Sequence, residues 1–178
     1  LNPVIDEKGD LYCYFTMDTR HSDGRKRVYG IFVIKMIDWN TPDWDTLRYV
    51  CRVNYGYIEN DGSTLYGTPM EPTEGKFNEG GVNEGTNVIY HDGLYYMTYS
   101  YFGYTDTRYS VGLAVSANAF GPFKKQYAYM PVIGKGTEYN DYKGGTGHHC
   151  FIKSGDELFM LYHATDNSMN NYDNNNNY

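Results

Sequence analysis

One glutamate in this sequence stands where a carboxyl group could carry out acid chemistry. Residues 81–90 (GVNEGTNVIY) place Glu84 near glycines, at the start of an apolar stretch. A carboxyl group that is partly removed from water has a raised pKa and can donate a proton as a general acid. Asn83, directly before it, is a candidate substrate-binding residue. On this segment alone an ordinary loop glutamate is the simpler interpretation, so Glu84 is a candidate catalytic residue.

Two adjacent histidines follow a glycine-rich approach in residues 144–151 (GGTGHHCF). Neighbouring residues on a β-strand point to opposite faces, so only one of His148 and His149 can face a given site. A lone histidine on a strand is usually structural. The preceding glycines favour a lining or ligand role for one of the two.

An aromatic segment, residues 100–109 (SYFGYTDTRY), places several rings beside an acidic group. Sugars stack on aromatic rings and hydrogen-bond to carboxylates, so Tyr101, Phe102 and Tyr109 are candidate substrate-binding residues. The same rings could instead pack between structural units, and the sequence leaves both roles open. For Trp39 and Trp44, which lie on a turn-rich link, packing is the expected role.

The elements that would position these residues are repeated hairpins. Segments 4–15, 88–99 and 151–162 each contain a short apolar strand, a polar turn with glycine, and a second strand rich in aromatic and aliphatic residues. Asp-Gly and Ser-Gly-Asp turns supply the positive φ angles of tight hairpins. The spacing of the copies fits four-stranded blades joined by long loops. The sequence therefore predicts an all-β chain in which residues 1–166 form about three blades of a β-propeller.

Three blades cannot close a ring, and a propeller protects its sheet edges only when the ring is complete. We therefore expect an open arc, or part of a longer protein that begins upstream of Leu1. Residues 54–82 are predicted to form a long loop, and loops of that length are often functional. Residues 167–178 are dominated by Asn and have no periodicity, so they are predicted to be a low-complexity tail or insert.

Composition limits the kinds of partner. The chain has 178 residues with 21 Tyr and 20 Gly, which suits short twisted strands and tight turns. A net charge of -7 disfavours nucleic-acid binding, which needs a basic surface. No apolar run approaches the roughly 20 residues of a membrane span. The three cysteines are too few and too scattered for a disulfide scaffold or a zinc site.

Three segments match, in order along the chain, the sequence pattern of one enzyme family. Residues 83–100 are similar to an acid-bearing strand followed by a Tyr-Tyr hairpin. Residues 111–123 (VGLAVSANAFGPF) are similar to an Ala-Val-Ser … Gly-Pro-Phe pattern. Residues 145–149 (GTGHH), with Tyr162 and His163, are similar to a Gly-Pro-Gly-His … Tyr-His pair. In this combination the chain resembles glycoside hydrolase family 43, five-bladed β-propellers that include arabinofuranosidases, xylosidases and arabinanases.

The resemblance implies roles for individual residues. Glu84 takes the position of the general acid. His148 takes the position of a histidine that lines the central channel and contacts substrate, and that coordinates a calcium ion in some members. No other cofactor is implied. Thr86 and Thr146 stand where the family usually has prolines, but the acid and the histidine are in place. The general base, and an aspartate that tunes the pKa of the acid, would lie before Leu1.

The implied activity is inverting hydrolysis of arabinose- or xylose-containing plant polysaccharides or oligosaccharides, as an α-L-arabinofuranosidase or β-xylosidase. Without the base, this chain alone is expected to be inactive. The alternative is a non-catalytic carbohydrate-binding propeller in which Glu84 hydrogen-bonds a glycan. A purely structural repeat module is a third possibility, which the contexts of Glu84 and His148 disfavour. The expected partner is a carbohydrate, not nucleic acid or a membrane, and polysaccharide degradation favours a secreted or periplasmic location.

Overall fold

The computed structural model describes residues 1–19, 28–53, 79–134 and 145–164. In this part of the chain no helix is long or apolar enough to cross a membrane. The described elements are one 3₁₀ helix (Tyr127–Tyr129) and ten strands: β1 (Asn2–Ile5), β2 (Leu11–Thr19), β3 (Val28–Asp38), β4 (Thr41–Arg52), β5 (Asn83–His91), β6 (Leu94–Tyr101), β7 (Ser110–Ser116), β8 (Lys124–Lys125), β9 (Thr146–Ser154) and β10 (Glu157–Ala164).

The strands form three antiparallel sheets that follow chain order. Two sheets have four strands each, in the orders β1-β2-β3-β4 and β5-β6-β7-β8, and β9 pairs with β10 in a third sheet. Strand β5 contacts both β1 and β9, so the first strands of the three sheets lie side by side. This arrangement is that of propeller blades. The prediction of an all-β partial propeller with about three blades is confirmed, with two full blades and two strands of a third.

The boundary at residue 166 stays a prediction, because residues 165–178 lie outside the described part of the chain. The predicted tail, residues 167–178, falls in that segment. Most of the predicted long loop, residues 54–78, also lies outside it.

Tight turns join the first two strands of each sheet, as the sequence predicts. The β5–β6 turn has Asp92 at φ 48° and Gly93 at φ 78°, the two positive values that a type I′ hairpin requires. In the β1–β2 turn, the Asp6 carboxylate accepts hydrogen bonds from the backbone N–H groups of Lys8 (3.0 Å) and Asp10 (2.9 Å). These bonds are local, which is why the hairpins can be read from the sequence.

Tyrosine rings and side-chain hydrogen bonds join the first two blades. Tyr14 and Tyr99 are fully buried in one hydrophobic cluster that includes residues of both sheets. The Tyr14 hydroxyl donates to the carbonyl of Ala119 at 2.7 Å, and the Val88 N–H donates to Oδ1 of Asn2 at 2.8 Å. A tyrosine supplies apolar area together with a hydroxyl group that needs a partner. Buried tyrosines such as Tyr14 therefore contribute to the packing between blades.

A buried ion pair anchors the chain just before β5. The Glu79 side chain is fully buried, pairs with Lys125, and accepts a hydrogen bond from the Tyr99 hydroxyl at 2.7 Å. Lys125 also donates to the carbonyl of Arg52 at 2.6 Å, so the pair links the first sheet to the second. Burial, and next the negative charge of Glu79, raise the pKa of Tyr99 well above its ordinary value. This network therefore joins the segment before β5 to both sheets.

Two tryptophans are exposed, contrary to expectation. Packing is the expected role of Trp39 and Trp44, but their side chains are 65% and 68% exposed. Trp39 lies in the β3–β4 turn and Trp44 on β4, the last strand of the first sheet. For the described part of the chain the packing prediction is wrong, because a hairpin at the outer edge of a blade meets no second layer.

Candidate active site

A cavity of about 330 Å³ opens where the second sheet meets the third. Its wall is built from the start of β5, the β6–β7 loop, and the β9–β10 pair. One carboxyl group, two imidazoles and two phenol rings share this space, whose volume is in the range of small-molecule sites. The lining residues are Glu84, Tyr104, Tyr109, Gly145, His148 and His163.

Glu84 reaches the cavity from the start of β5, where strand pairing is irregular. Glu84 pairs with Ser100 of β6, and the register then shifts before Asn87. Inside this irregularity Gly85 has φ 58°, and a Cβ added there would lie 3.3 Å from Nδ1 of His148. Glycine therefore allows both the backbone turn and the close approach of the histidine. The glycine after Glu84 therefore allows β5 to lie close against β9.

His148 has an uncommon backbone conformation. Its φ is 49°, in the left-handed region that few residues other than glycine adopt. Its backbone N–H donates to Oγ of Ser100 at 2.7 Å, and its ring stacks on that of His163. Gly147, directly before it, lies against the Tyr109 ring, where any side chain would collide. The glycine-rich approach seen in the sequence therefore serves close packing around the cavity.

The adjacent His149 belongs to the packing between sheets. It is 4% exposed, and its Nε2 lies 2.5 Å from Oγ1 of Thr98. Burial, and next the charge of His148, lower the pKa of His149 to about 4. Among the described residues its Nδ1 has no hydrogen-bond partner. One of the two histidines therefore faces the cavity and the other faces the interior, as strand alternation predicts.

The aromatic segment divides between the cavity wall and the core. Tyr109 lines the cavity while only 2% exposed, and burial, with a further contribution from the Glu84 charge, raises the pKa of its phenol. Tyr101 and Phe102 are 4% and 7% exposed and belong to the hydrophobic core. The Arg108 guanidinium lies 4.2 Å from the centre of the Phe102 ring. Burial favours the packing role for Tyr101 and Phe102, and their contact with substrate stays a prediction.

Asn83 is fully buried and is not one of the residues that line the cavity described here. Within the described ranges neither polar atom of its amide has a hydrogen-bond partner, and its substrate-binding role stays a prediction. Two lining residues, Tyr104 and His163, are not among the site residues predicted from the sequence, and Tyr104 is 71% exposed. Tyr104 belongs to the aromatic segment and His163 to the Tyr-His pair, both of which stand out in the sequence. Their position beside Glu84 depends on tertiary packing, which the sequence pattern does not give.

The family resemblance implies that His148 coordinates a calcium ion, so the oxygen donors around this histidine matter. Calcium prefers about six to eight oxygen ligands. Among the described lining residues, Glu84 supplies the one carboxylate, and His163 beside His148 supplies a nitrogen donor and no oxygen. Across residues 1–19, 28–53, 79–134 and 145–164, no group of three or more His, Cys, Asp or Glu side chains could hold a metal ion. These residues do not form a calcium site by themselves, and metal binding by His148 stays a prediction.

The fold and the cavity together define a class: a β-propeller in which an acidic side chain at the start of an innermost strand faces a polar and aromatic cavity. The sequence matches the family described as Glycosyl hydrolases family 43 over residues 4–177. The chain therefore belongs to glycosyl hydrolase family 43, and the resemblance drawn from three segments is confirmed. No curated protein matches the chain.

Solved structures are similar to nearly all of this chain. An endo-1,4-beta-xylanase from Bacteroides thetaiotaomicron has 26% identity and a TM-score of 0.60, covering 91% of this chain and 47% of its own. A thermostable family-43 glycoside hydrolase has 27% identity with the same TM-score and coverage. An alpha-L-arabinanase from Cellvibrio cellulosa, complexed with arabinohexaose, shares the fold at 14% identity and a TM-score of 0.60, covering 95% and 49%. The chain thus spans about half the length of these proteins.

Proposed function

We propose that the protein containing this chain is a glycoside hydrolase of plant polysaccharides or oligosaccharides with xylose or arabinose units, and that Glu84 is its general acid. One observation carries the proposal: the Glu84 carboxyl faces a cavity in a chain that belongs to family 43. Family membership supports glycoside hydrolysis, and the geometry supports the choice of residue. Because the chain covers 47% of the xylanase it resembles, the proposal concerns the whole protein.

In the proposed reaction the Glu84 carboxyl donates its proton to the glycosidic oxygen while the bond to the leaving group breaks. A second carboxylate takes a proton from the water that attacks the opposite face of the sugar. In inverting enzymes the two carboxyls stand about 6.5–9.5 Å apart, which leaves room for that water. Among the described lining residues Glu84 is the one carboxylate, so the base is proposed to come from another part of the protein.

The choice of sugar is the finer part of the proposal. Similarity to the endo-1,4-beta-xylanase at 26% identity supports a xylose-containing substrate. The arabinose alternative rests on the three sequence segments, because the arabinanase at 14% identity shares the fold alone. Tyr104, exposed on the cavity wall, offers a ring face on which either pentose can stack.

A second candidate function is a carbohydrate-binding propeller without catalysis. The single carboxylate in the described cavity wall favours it, because inverting hydrolysis requires two. In that function Glu84 and His148 hydrogen-bond the sugar and Tyr104 stacks on it, and no bond is broken.

The test is turnover by the protein that contains this chain, measured on xylo- and arabino-oligosaccharides beside the variant Glu84→Gln. Glutamine keeps the size of the side chain but cannot donate the acid proton, so we expect kcat/KM to fall by about 100- to 10,000-fold. Glu157→Gln, at an exposed carboxylate of β10, is the matched control with unchanged turnover.

Each outcome separates the two functions. Hydrolysis that is lost only in Glu84→Gln supports the enzyme and the role of Glu84. Hydrolysis that survives Glu84→Gln removes Glu84 from the acid role. Oligosaccharide binding without any hydrolysis moves the function to the binding propeller. Turnover by the isolated 178-residue chain would contradict the proposal that the base lies elsewhere.

A further inference from the structure

The hydroxyl group of Ser100 lies at the junction of the three elements that build the cavity. Ser100 is fully buried on β6, where its neighbour in the ladder is Glu84 of the acid strand. Its Oγ accepts a 2.7 Å hydrogen bond from the backbone N–H of His148, which belongs to the next sheet. The Tyr109 phenol also interacts with this hydroxyl. The Ser100 side chain therefore lies next to β5, which carries Glu84, and interacts with two residues of the cavity wall, His148 and Tyr109.

The space around Ser100 is closely filled on the side of the acid. A Cβ added at Gly85 would lie 3.4 Å from Oγ of Ser100 and 3.4 Å from Cα of His148. The start of β9 is therefore packed onto the irregular part of β5, with the Ser100 hydroxyl between them. A hydroxyl group has two lone pairs and one hydrogen, so Ser100 can accept a hydrogen bond from the His148 N–H and form a second one with the Tyr109 phenol.

We infer that Ser100 is a positioning residue, which fixes His148 and Tyr109 around the Glu84 carboxyl. The inference rests on the proposed role of Glu84 as general acid. The left-handed backbone of His148 points its N–H away from the regular β9–β10 ladder, and Ser100 supplies the acceptor that this conformation needs. An alanine at position 100 would remove this 2.7 Å acceptor and leave the Tyr109 hydroxyl, which also interacts with the backbone of His148, as the remaining partner. We expect the start of β9 to move relative to Glu84 as a result.

A change in the position of a general acid has a distinct kinetic effect. A poor leaving group, such as the sugar of an oligosaccharide, needs the proton in the transition state, whereas a dinitrophenolate leaves with little help. In Ser100→Ala we therefore expect kcat/KM to fall by about 10- to 100-fold on an oligosaccharide, as small misplacements of catalytic groups do. On the dinitrophenyl glycoside of the same sugar we expect kcat/KM to stay close to that of the unmutated protein.

The control is a second buried serine of the same blade. Ser116 on β7 is 6% exposed and accepts a 3.0 Å hydrogen bond from the backbone N–H of Asn118. It pairs with Tyr95, at the other end of β6 from Ser100. Ser116→Ala thus removes a buried hydroxyl and one hydrogen bond far from Glu84, and we expect it to leave the ratio of the two activities unchanged.

A further variant covers the case in which Ser100→Ala folds poorly. Ser100→Cys keeps nearly the same volume but is a weak acceptor, so it should show the same selective loss. Thermal unfolding of every variant separates a loss of folded protein from a loss of turnover.

The outcomes separate this inference from the proposed function. A selective loss on the oligosaccharide in Ser100→Ala or Ser100→Cys, absent in Ser116→Ala, supports the inference. Equal losses on both substrates, or a profile that matches Ser116→Ala, overturns it while leaving Glu84 as the acid. If the unmutated protein hydrolyses neither substrate, the proposed function fails, and the inference fails with it.

Discussion

The imidazole rings of His148 and His163 lie 5.6 Å apart, centroid to centroid, with their planes within 11° of parallel. His163 stands opposite Gly147 in the β9–β10 pair, just after a shift in the register. The Tyr109 ring fills the space beside Gly147, and the His163 ring lies against the next residue of β9, which is His148. The stack restrains the His148 ring, whose backbone is already tied to Ser100.

We expect His163→Ala to weaken oligosaccharide binding, because it removes the ring that supports His148. Aromatic pairs contribute about 0.5–1.5 kcal/mol beyond buried area. Part of this loss falls on the free protein, so Kd should rise by no more than about 2- to 13-fold. His163→Phe keeps a flat ring in the stack and should bind almost as the unmutated protein does. Calorimetric titration measures the Kd, and an equal loss in both variants would show that the imidazole nitrogens, and not the stack, matter.

Gly85→Ala should reduce both stability and turnover. Its φ of 58° is costly for any residue with a Cβ, by about 1–2 kcal/mol, and the added Cβ would press on His148. Gly93→Ala is the matched control, since Gly93 has φ 78° but no atom within 4 Å of the added Cβ. Urea unfolding should show a loss in both variants, the larger one in Gly85→Ala, and only Gly85→Ala should lower kcat/KM. Normal turnover in Gly85→Ala would mean that the contact with His148 has no role.

Lys125→Met should be strongly destabilising, because it leaves the fully buried Glu79 carboxylate without its cation. Removing one partner of a buried ion pair typically costs about 3–5 kcal/mol. The double variant Glu79→Gln with Lys125→Met should recover part of that loss. The control is Lys35→Met, whose pair with Asp10 has side chains 37% and 38% exposed, and which should change the free energy of unfolding little. Comparable effects of Lys125→Met and Lys35→Met would contradict the buried network.

Stability should decrease as the pH falls from about 6.5 to 4, in part through His149. Its pKa is lowered from 6.5 to about 4 by burial, so in this window the unfolded chain takes up a proton that the folded chain does not. The unfolded state is favoured progressively, by up to about 3 kcal/mol, and the loss is complete near pH 4. Above pH 6.5 both states hold a neutral imidazole and the effect vanishes.

The variant His149→Gln tests this pH dependence. It should flatten the curve of unfolding free energy against pH between 4 and 6.5, whatever its effect at neutral pH. His91→Gln, which removes an exposed imidazole, is the control. If the curve for His149→Gln ran parallel to that of the unmutated chain, His149 would take up its proton as readily in the folded state as in the unfolded state, which would contradict the prediction.

The features that could be predicted from the sequence are those set by local chemistry. The hairpin turns follow from Asp-Gly pairs such as Asp92 and Gly93, whose positive φ angles need no distant contact. Alternation along a strand predicts that His148 and His149 face apart. It does not say which faces the cavity, because that depends on the left-handed conformation of His148 and on the hydroxyl of Ser100 on another sheet.

The features that could not be predicted depend on long-range packing. Phe102 is covered because its N–H donates to the carbonyl of Glu79 and its ring lies against Gly80. Nothing near Phe102 in the sequence signals these contacts. His163 joins Glu84 at the cavity only because β10 pairs with β9. Trp39 is exposed because, among the residues that the structure describes, no second layer covers the outer hairpin of the first blade.

The joint between the first two blades has a consequence for the shape of the site. In the described part of the chain the two sheets share no backbone ladder, and they meet through side chains such as Tyr14 on Ala119 and Asn2 on Val88. Because each of these sheets keeps its own backbone pairing, a substitution at this seam can shift one blade against the next without unpairing a strand. Val88 lies on the strand that carries Glu84, so a substitution in the first blade can alter the cavity without changing a residue that lines it.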